Sequence, residues 1–338
     1  MVFIVPLLVA VFLAINMGAS GTAPAFSAAY GAKIIKLDYI PFMFGTFVLL
    51  GAIIAGDKVI KTIGGSVLPA ENMNMAVVTI VLLASALSIF IANMLKVPQS
   101  TSQSTVFALV GCALPLKVLE SSRLIYEMVP TWLIMPFISF FLTFSLGFLF
   151  IKLKKKIWFL EFKKVRKNHL WKYITIACSC YVAFSIGSNN VANSAGPLAS
   201  LVGNEMGFGD GNVTILLLSV MLVAPWFGIG SALMGRGVSK TIGHEIIHLD
   251  VLGATFISII TATLLLLAST TRGIPTSLVQ MNTFSVIAVG MLKEGPRNIL
   301  SRLSVIKLFT VWIVAPIIAM AISYLLTILS INIGLLSI

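Results

Sequence analysis

The stretch GSNNVANSAGPL, residues 187–198, decides how this chain is interpreted, because it sets uncharged polar side chains into a long apolar segment. Its twelve residues include three asparagines and two serines, together with two glycines and one proline. In hydrocarbon every polar group needs a partner, so a stretch of this kind persists only inside protein or beside a water-filled cavity. We therefore expect a broken helix whose polar side chains face a buried site.

The composition around this stretch is that of a membrane protein. The chain has 338 residues, of which 58% are hydrophobic and 10% are charged, whereas a soluble domain carries about 25% charged residues. Apolar segments lie at 2–30, 39–56, 73–95, 98–118, 124–151, 172–201, 211–234, 249–270, 273–292 and 305–336. The sequence thus predicts an all-α integral membrane protein with about 10–12 transmembrane segments. The first and sixth segments are interrupted by Gly and polar residues, and the fourth and ninth have polar starts, so broken or re-entrant helices are expected.

The net charge of +12 is concentrated in one place. Nine of the 23 Lys and Arg residues fall within residues 152–172, between two hydrophobic halves. This is the pattern that the positive-inside rule produces in a cytoplasmic loop. The charge therefore indicates membrane topology, and no nucleic-acid partner is expected.

The two hydrophobic halves are related to each other. Three pairs of similar stretches occur in the same order in both halves, which indicates an ancient duplication. The pairs are 17–31 with 186–200, GDKVIKTIG (56–64) with GRGVSKTIG (235–243), and PQSTSQSTVF (98–107) with PTSLVQMNTF (275–284). We therefore predict a first membrane repeat at 1–151, a basic cytoplasmic linker at 152–171 and a second repeat at 172–338.

The basic residues also predict the orientation of the repeats. With five crossings in each half and the linker inside, both termini lie outside and the halves have inverted topology. This orientation places eighteen of the 23 basic residues inside and five outside, as the positive-inside rule requires. Inverted repeats with interrupted helices are the architecture of secondary transporters, which hold the substrate near the midplane between the repeats. The sequence predicts a multi-pass transporter of the cell membrane, surrounded by the lipid bilayer, and leaves a homo-oligomer open.

Four polar stretches, two in each half, are the candidate binding elements. Broken helices point free backbone N–H groups, at the positive end of the helix dipole, into the cavity, so an anion is the expected ligand. We expect N–H donors near Gly18–Thr22 and Gly187–Asn193, helped by hydroxyl and amide side chains. The candidate binding residues are Ser20, Gly21, Thr22, Ser100, Thr101, Ser102, Gln103, Asn189, Asn190, Asn193, Ser194, Ser277, Gln280 and Asn282. The alternative interpretation is that these small polar residues only mediate close helix packing.

These stretches resemble the inorganic phosphate transporter family. GSNNVANSAGPL is similar to that family's G-A-N-D-V-A-N-A-x-G-P signature, and the stretches that begin at Val97 and Ile274 resemble its P-V-S-T-T-H element. The stretches at 56–64 and 235–243 match its G-x-x-V-x-x-T-I sequence. The resemblance covers essentially the whole chain, in order and in both halves. It implies an inverted-repeat symporter that moves a tetrahedral oxyanion by means of a cation gradient.

Departures from the family motifs change the expected substrate. The motif's Asp is Gly21 in the first half and Asn190 in the second, and its His is Gln103 and Gln280. The same loss of carboxylates resembles the bacterial sulfate permease branch of the family. Phosphate at neutral pH carries O–H donors that need acceptors, whereas sulfate has no proton to donate and is repelled by a carboxylate. We therefore expect import of sulfate or thiosulfate, with phosphate as the alternative, because an Asn carbonyl oxygen still accepts.

The coupling ion is less clearly indicated. A dianion that enters a negative-inside cell opposes about 2.3 kcal/mol per charge per 100 mV, so cotransport of a cation is expected. Proton symport is what the resemblance to the sulfate branch implies, and Na⁺ bound near Asn189 and Asn190 is the other option. No further cofactor is expected. The acidic residues at the predicted segment ends are interpreted as interfacial residues; they are Asp57, Glu127, Glu205 and Glu245.

Three interpretations that assign the chain to other functional classes remain open. HEIIH, residues 244–248, matches the H-E-x-x-H pattern of an intramembrane zinc metalloprotease, in which two His bind zinc and Glu is the general base. GASG, residues 18–21, resembles the nucleophile motif of an intramembrane serine protease, but the predicted spans lack the His that this enzyme needs. A channel also uses polar filters and half-helices. The symporter is preferred because four polar stretches recur at corresponding positions in both repeats.

Overall fold

The computed structural model describes residues 3–31, 33–95, 97, 99–154, 169–208, 212–245 and 251–337, and within these every regular element is a helix. This confirms the predicted all-α fold. The helices are α1 (Ile4–Gly31), α2 (Ile40–Ala55), α3 (Asp57–Gly65), α4 (Met75–Met94), α5 (Thr101–Leu116), α6 (Val129–Lys154), α7 (His169–Asn190), α8 (Ala192–Glu205), α9 (Val213–Val223), α10 (Pro225–Glu245), α11 (Val251–Arg272), α12 (Leu278–Glu294), α13 (Pro296–Leu300) and α14 (Leu303–Asn332). Short turns precede α2, α4 and α6; they are Leu37–Tyr39, Ala70–Asn72 and Ser121–Arg123, the last continued by the π-helical Leu124–Met128.

Eight stretches of the described helices are long and apolar enough to cross a membrane, fewer than the ten to twelve segments expected. The difference lies in the fourth and ninth segments, which form α5, of 16 residues, and α12, of 17 residues. At 1.5 Å per residue such helices are about 25 Å long, shorter than the roughly 30 Å of a hydrocarbon core. Both begin at buried serines, so these two helices start inside the protein.

The two halves interlock instead of packing as separate bodies. α1 packs most extensively against α10, and α7 packs against α2. In the same way α5 packs against α14, and α12 packs against α6. The first helix of each half therefore contacts the second segment of the other half, and the fourth contacts the fifth. Each of these pairings in one half thus has a counterpart in the other half.

Close backbone approach holds α2 against α7. A Cβ atom built on Gly187 lies 2.0 Å from the carbonyl oxygen of Val48, and one built on Gly51 lies 1.9 Å from that of Phe184. These distances are far below van der Waals contact, so only glycine fits at either position. Small residues of this kind allow membrane helices to approach closely.

The same arrangement is repeated between α1 and α10. A Cβ atom built on Gly18 lies 2.2 Å from the carbonyl oxygen of Phe227, and one built on Gly230 lies 2.0 Å from that of Ile15. By the alignment of the two halves, these glycines correspond to the pair at the α2–α7 crossing. The two crossings fix both halves around a common centre, which is where the candidate site lies.

The helix break predicted in the first segment is not found. α1 runs without interruption through Gly18, Gly21 and Pro24. The expected free N–H groups near Gly18–Thr22 are therefore wrong, because a backbone N–H inside a helix bonds to the carbonyl four residues earlier. In the second half the break is found, at Val191 between α7 and α8. The N–H groups of 187–190, however, lie in the last turn of α7, so the expectation of free donors is wrong for these four residues; Ala192 and Asn193 form the start of α8.

Two features of the sequence lie partly outside the residues that the structure describes. α6 ends at Lys154 and α7 begins at His169, so most of the basic linker, residues 155–168, lies outside the described residues. α10 ends at Glu245, and residues 246–248 of the HEIIH motif also lie outside them.

Candidate functional site

The free helix N-termini at the centre of the molecule belong to α5 and α12. Each follows an extended segment and is capped by a serine: Ser100 Oγ accepts from the backbone N–H of Gln103, and Ser277 Oγ accepts from that of Gln280, both at 3.3 Å. The remaining N–H groups of a helix's first turn have no partner within the helix. Two positive helix ends thus converge between the repeats. The sequence analysis expected such N-termini near Gly18–Thr22 and Gly187–Asn193; of these two ranges, the second contains a helix start, that of α8 at Ala192.

Gln103 and Gln280 join these two helix ends. Gln103 Nε2 donates to Gln280 Oε1 at 3.1 Å, and Gln280 Nε2 donates to Gln103 Oε1 at 2.9 Å. Both side chains are buried. The sequence predicted that they donate to the anion, but in this conformation they donate to each other and connect the repeats.

Asn189 is the most fully bonded side chain of the site. Its Oδ1 accepts from Ser102 Oγ at 3.2 Å and from the backbone N–H of Thr276 at 3.2 Å. Its Nδ2 donates to Ser269 Oγ at 2.8 Å and to the carbonyl oxygen of Ile274 at 3.2 Å. These bonds use the two donors and both lone pairs of the amide. Asn189 therefore holds the start of α5 and the extended segment 273–277 in place.

Asn193 extends this network towards α1. Its Nδ2 donates to Ser102 Oγ at 3.4 Å and contacts the sulfur of Met17 at 3.6 Å. Its Oδ1 is buried and has no hydrogen-bond partner among the residues that the structure describes. An unpaired buried oxygen is uncommon and requires an explanation, and a bound cation is one.

A small cavity lies beside this network, between α1, α7 and the starts of α5 and α12. Its polar lining consists of Ser20, Gln99, Thr101, Asn190, Thr276 and Ser277. Several of these side chains carry buried atoms without a partner in the described part of the chain; they are both amide atoms of Gln99, Oδ1 of Asn190 and Oγ1 of Thr276. The cavity has a volume of about 20 Å³, which is enough for about one water molecule.

The electrostatics of the site come from dipoles. Over the described ranges, the buried polar side chains are all uncharged. Asp57 and Glu205 are exposed, and Glu127 is partly exposed and lies 3.5 Å from Arg123. These three acidic residues thus lie where the sequence suggested, away from the centre; the side chain of Glu245 is outside the described part. An anion in this cavity meets amides, hydroxyls and two helix N-termini.

The fourteen predicted binding residues divide into three groups. Those that line the cavity are Ser20, Gly21, Thr101, Asn190 and Ser277. Those that form the adjacent hydrogen-bond network are Ser100, Ser102, Gln103, Asn189, Asn193 and Gln280. Those that lie elsewhere are Thr22, Ser194 and Asn282: the first two hydroxyls bond to the carbonyl oxygens of Gly18 and Val191 on their own chain segments, and Asn282 is half-buried on α12 away from the lining.

Two cavity residues were missed by the sequence analysis. Gln99 and Thr276 line the cavity and directly precede the caps Ser100 and Ser277. The signal was available, since both lie in the aligned stretches, directly after Pro98 and Pro275. Ser269, which bonds Asn189, could not be found this way, because it lies on α11, outside the aligned stretches.

A larger cavity of about 330 Å³ lies away from these residues, among α3, α8 and α9. Its two serine hydroxyls have partners within the protein: Ser200 Oγ donates to the carbonyl oxygen of Gly64 at 2.7 Å, and Ser66 Oγ donates to that of Thr62 at 2.7 Å. Lys61 at its lining is exposed. Size alone would favour this cavity, but the unpaired buried donors and acceptors favour the smaller one as the ligand site.

The chain is similar to known proteins in sequence and in fold. Residues 17–323 match the sequence model of PHO4, the phosphate transporter family. The chain is 34% identical over 321 residues to the sulfate permease CysP of Bacillus subtilis (strain 168), and the match covers 95% of this chain and 86% of that protein. A solved structure described as the sodium-dependent phosphate transporter superposes with a TM-score of 0.82 at 21% identity, covering 98% of this chain and 99% of the other. The last likeness shows the fold.

Proposed function

Because the chain belongs to the phosphate transporter family and is thereby an anion transporter, we propose that it imports a sulfate-class oxyanion together with a cation. The anion, sulfate or thiosulfate, binds in the cavity between the two repeats, and the repeats open alternately to the two sides of the membrane. The observation that carries this proposal is the uncharged lining of the cavity, in which Asn190 stands where the family motif has Asp.

The choice of sulfate follows from hydrogen-bond chemistry. A fully deprotonated tetrahedral anion needs donors alone, and it is disfavoured by a carboxylate. Thr101 and the amides of Gln99 and Asn190 are neutral groups able to donate, whereas the hydroxyl of Ser20 already donates to the carbonyl oxygen of Met17. A half-turn of an amide about its last torsion exchanges its oxygen and nitrogen, so Asn190 presents Nδ2 to the anion in the bound state. The relative named as a sulfate permease supports the same substrate class.

Binding requires the cavity to widen. A space of about 20 Å³ holds about one water molecule, and a tetrahedral oxyanion is considerably larger. We infer that the present conformation is closed and that α1, α7 and the starts of α5 and α12 move apart when the anion enters. Such rocking of one repeat against the other is the usual form of alternating access.

The cation is a proton or Na⁺. The amide of Asn189 already has four partners, so the expected Na⁺ position is shifted to the unpaired oxygens of Asn190 and Asn193. Carbonyl-type oxygens beside interrupted helices are the usual Na⁺ ligands of secondary transporters. A proton is the alternative, and the nearest described carboxylates are at the periphery.

Phosphate is the second candidate substrate. The unpaired oxygens Gln99 Oε1 and Asn190 Oδ1 are acceptors, and hydrogen phosphate offers an O–H to such groups. The solved structure with this fold is described as a phosphate transporter, which keeps this substrate in consideration.

Transport by purified protein in proteoliposomes tests the proposal. Radiolabelled sulfate uptake is measured with an imposed proton gradient, then with an imposed Na⁺ gradient, each with and without an ionophore that collapses it. We expect accumulation above equilibrium that one ionophore abolishes. Sulfate flux that only equilibrates, whatever the gradient, would indicate a channel and refute coupling.

A further inference from the structure

We propose that Gln99 and Thr276 are specificity-determining residues of the oxyanion site, acting as a pair of neutral donors contributed by the two repeats. This inference rests on the proposed function and adds to it two residues that neither the family signature nor the relatives' names assign. Each residue stands directly before the serine that caps a central helix, so the two hold the same place in the two halves.

The burial of these side chains is the first argument. Gln99 and Thr276 are each 2% exposed. Neither Nε2 nor Oε1 of Gln99 has a hydrogen-bond partner in the described part of the protein, and the same holds for Oγ1 of Thr276. Burying polar groups without partners is unfavourable. A pair of such residues at symmetry-related positions around one cavity is explained if a ligand supplies the missing partners.

The contrast with their neighbours is the second argument. Ser100, Ser277 and Asn189 have protein partners and hold the framework. The backbone N–H of Thr276 donates to Asn189 Oδ1 at 3.2 Å, which fixes the main chain of Thr276 while its hydroxyl remains free. The groups that hold the framework and the groups proposed to bind the anion thus belong to adjacent residues or, in Thr276, to different atoms of one residue.

The sequence supplies the third argument. The P-V-S-T-T-H element, which these stretches resemble, has valine at the place of Gln99 and Thr276. In this chain the motif's Asp is absent at Gly21 and Asn190, and two uncharged polar groups have been gained in the same cavity. The exchange replaces acceptors and charge by an amide and a hydroxyl, which suits an anion with no proton to donate.

The test compares Gln99→Leu and Thr276→Val with the wild-type protein in proteoliposomes. Hydrogen bonds to a charged group change affinity by about 10- to 100-fold, so we expect the KM for sulfate to rise by about that factor in Gln99→Leu and by about tenfold in Thr276→Val. The melting temperature without substrate should stay the same or rise, because an apolar side chain replaces an unpaired polar one. A purely structural role predicts the opposite, a lower melting temperature.

A charged variant reports selectivity directly. Gln99→Glu keeps the size of the side chain and adds a negative charge with acceptor oxygens. We expect it to lose sulfate uptake more strongly than phosphate uptake, so the ratio of the two KM values shifts by about tenfold or more towards phosphate. The matched control is Ser323→Ala, which removes a buried hydroxyl that also lacks a partner among the described residues but lies on α14, outside the cavity; its KM values should be unchanged.

The outcomes separate this inference from the proposed function. If the wild type takes up sulfate and Gln99→Leu has the same KM within twofold, the inference is overturned and the proposed function stands. The same conclusion follows if both variants lower the melting temperature and transport together. If the wild type takes up phosphate and no sulfate, the proposed substrate is wrong, and the KM for phosphate of Gln99→Leu then decides whether this residue binds the anion.

Discussion

Gln103 and Gln280 donate to and accept from each other across the centre of the molecule, with N···O distances of 3.1 and 2.9 Å. They hold the same place in the two halves, one turn into α5 and α12. The family motif has His at both places, so a pair that would titrate near neutral pH is replaced here by one that does not. The pair therefore links the two repeats by a neutral contact next to the small cavity.

This reciprocal pair makes a prediction about stability. Replacing Gln103 alone by Leu leaves the buried amide of Gln280 without its partner, which costs about 1–3 kcal/mol. Replacing both by Leu removes the unpaired group as well, so the double variant should be destabilised by less than the sum of the single variants. Thermal unfolding of the four proteins in detergent measures this coupling, and strictly additive effects would contradict the pairing.

The glycine crossings predict where an added methyl group is not tolerated. In Gly187→Ala and Gly51→Ala the new Cβ atom meets a backbone carbonyl at about 2 Å. The helices must separate, at a cost of about 1–3 kcal/mol or more. Gly203→Ala is the matched control, since its nearest neighbour, the carbonyl oxygen of Phe208, lies at 3.5 Å; in a helix it should gain up to about 1 kcal/mol. Equal melting temperatures for Gly187→Ala and Gly203→Ala would disprove the close crossing.

The exchange of Asn for Asp at two adjacent positions distinguishes a residue that holds the framework from a residue of the proposed ligand site. Asn189→Asp removes the donors to Ser269 and Ile274 and buries an unpaired charge, so it should lower the melting temperature and the yield of folded protein. Asn190→Asp changes a group that lines the cavity. It should leave the fold intact and raise the KM for sulfate by about tenfold or more, because like charges in contact cost several kcal/mol. Uptake assays and melting curves of both variants check this, and identical behaviour of the two would count against the division of roles.

The predicted orientation is tested by fusion proteins. Alkaline phosphatase, which is active only outside the cytoplasm, should be active when fused after residue 338 and inactive when inserted into the linker at 152–171. The reason is the concentration of basic residues in that linker. Alkaline phosphatase activity at the linker position would show that the orientation is the opposite of the predicted one.

Much of the architecture could be predicted from the sequence because membrane helices are encoded locally. Each of the ten predicted apolar segments contains a helix or a pair of helices in the structure. The aligned stretches contain the elements that meet at the centre. Pro98 and Pro275 begin the aligned stretches 98–107 and 275–284 of the sequence, which contain the starts of α5 and α12. The amides and hydroxyls that line the cavity also lie in stretches that the sequence analysis singled out.

What could not be predicted depends on partners from the other half of the chain. Gly18 and Gly21 suggested a broken helix, but α1 is continuous, and Gly18 instead accommodates the backbone of Phe227 on α10. The sequence likewise could not tell that Gln103 bonds Gln280, or that Asn189 is saturated while Asn190 is not. These distinctions arise from the tertiary approach of helices that are far apart in sequence.

We propose that a cavity lined by neutral donors selects an anion that has no proton to donate. The most direct measurement is the uptake of radiolabelled sulfate by wild-type proteoliposomes in the presence of increasing unlabelled thiosulfate or phosphate, at pH values from 6 to 8. We expect thiosulfate to inhibit sulfate uptake strongly and phosphate to inhibit it weakly. This order should be the same at every pH. Inhibition of sulfate uptake by phosphate that is as strong as the inhibition by thiosulfate would contradict this selectivity.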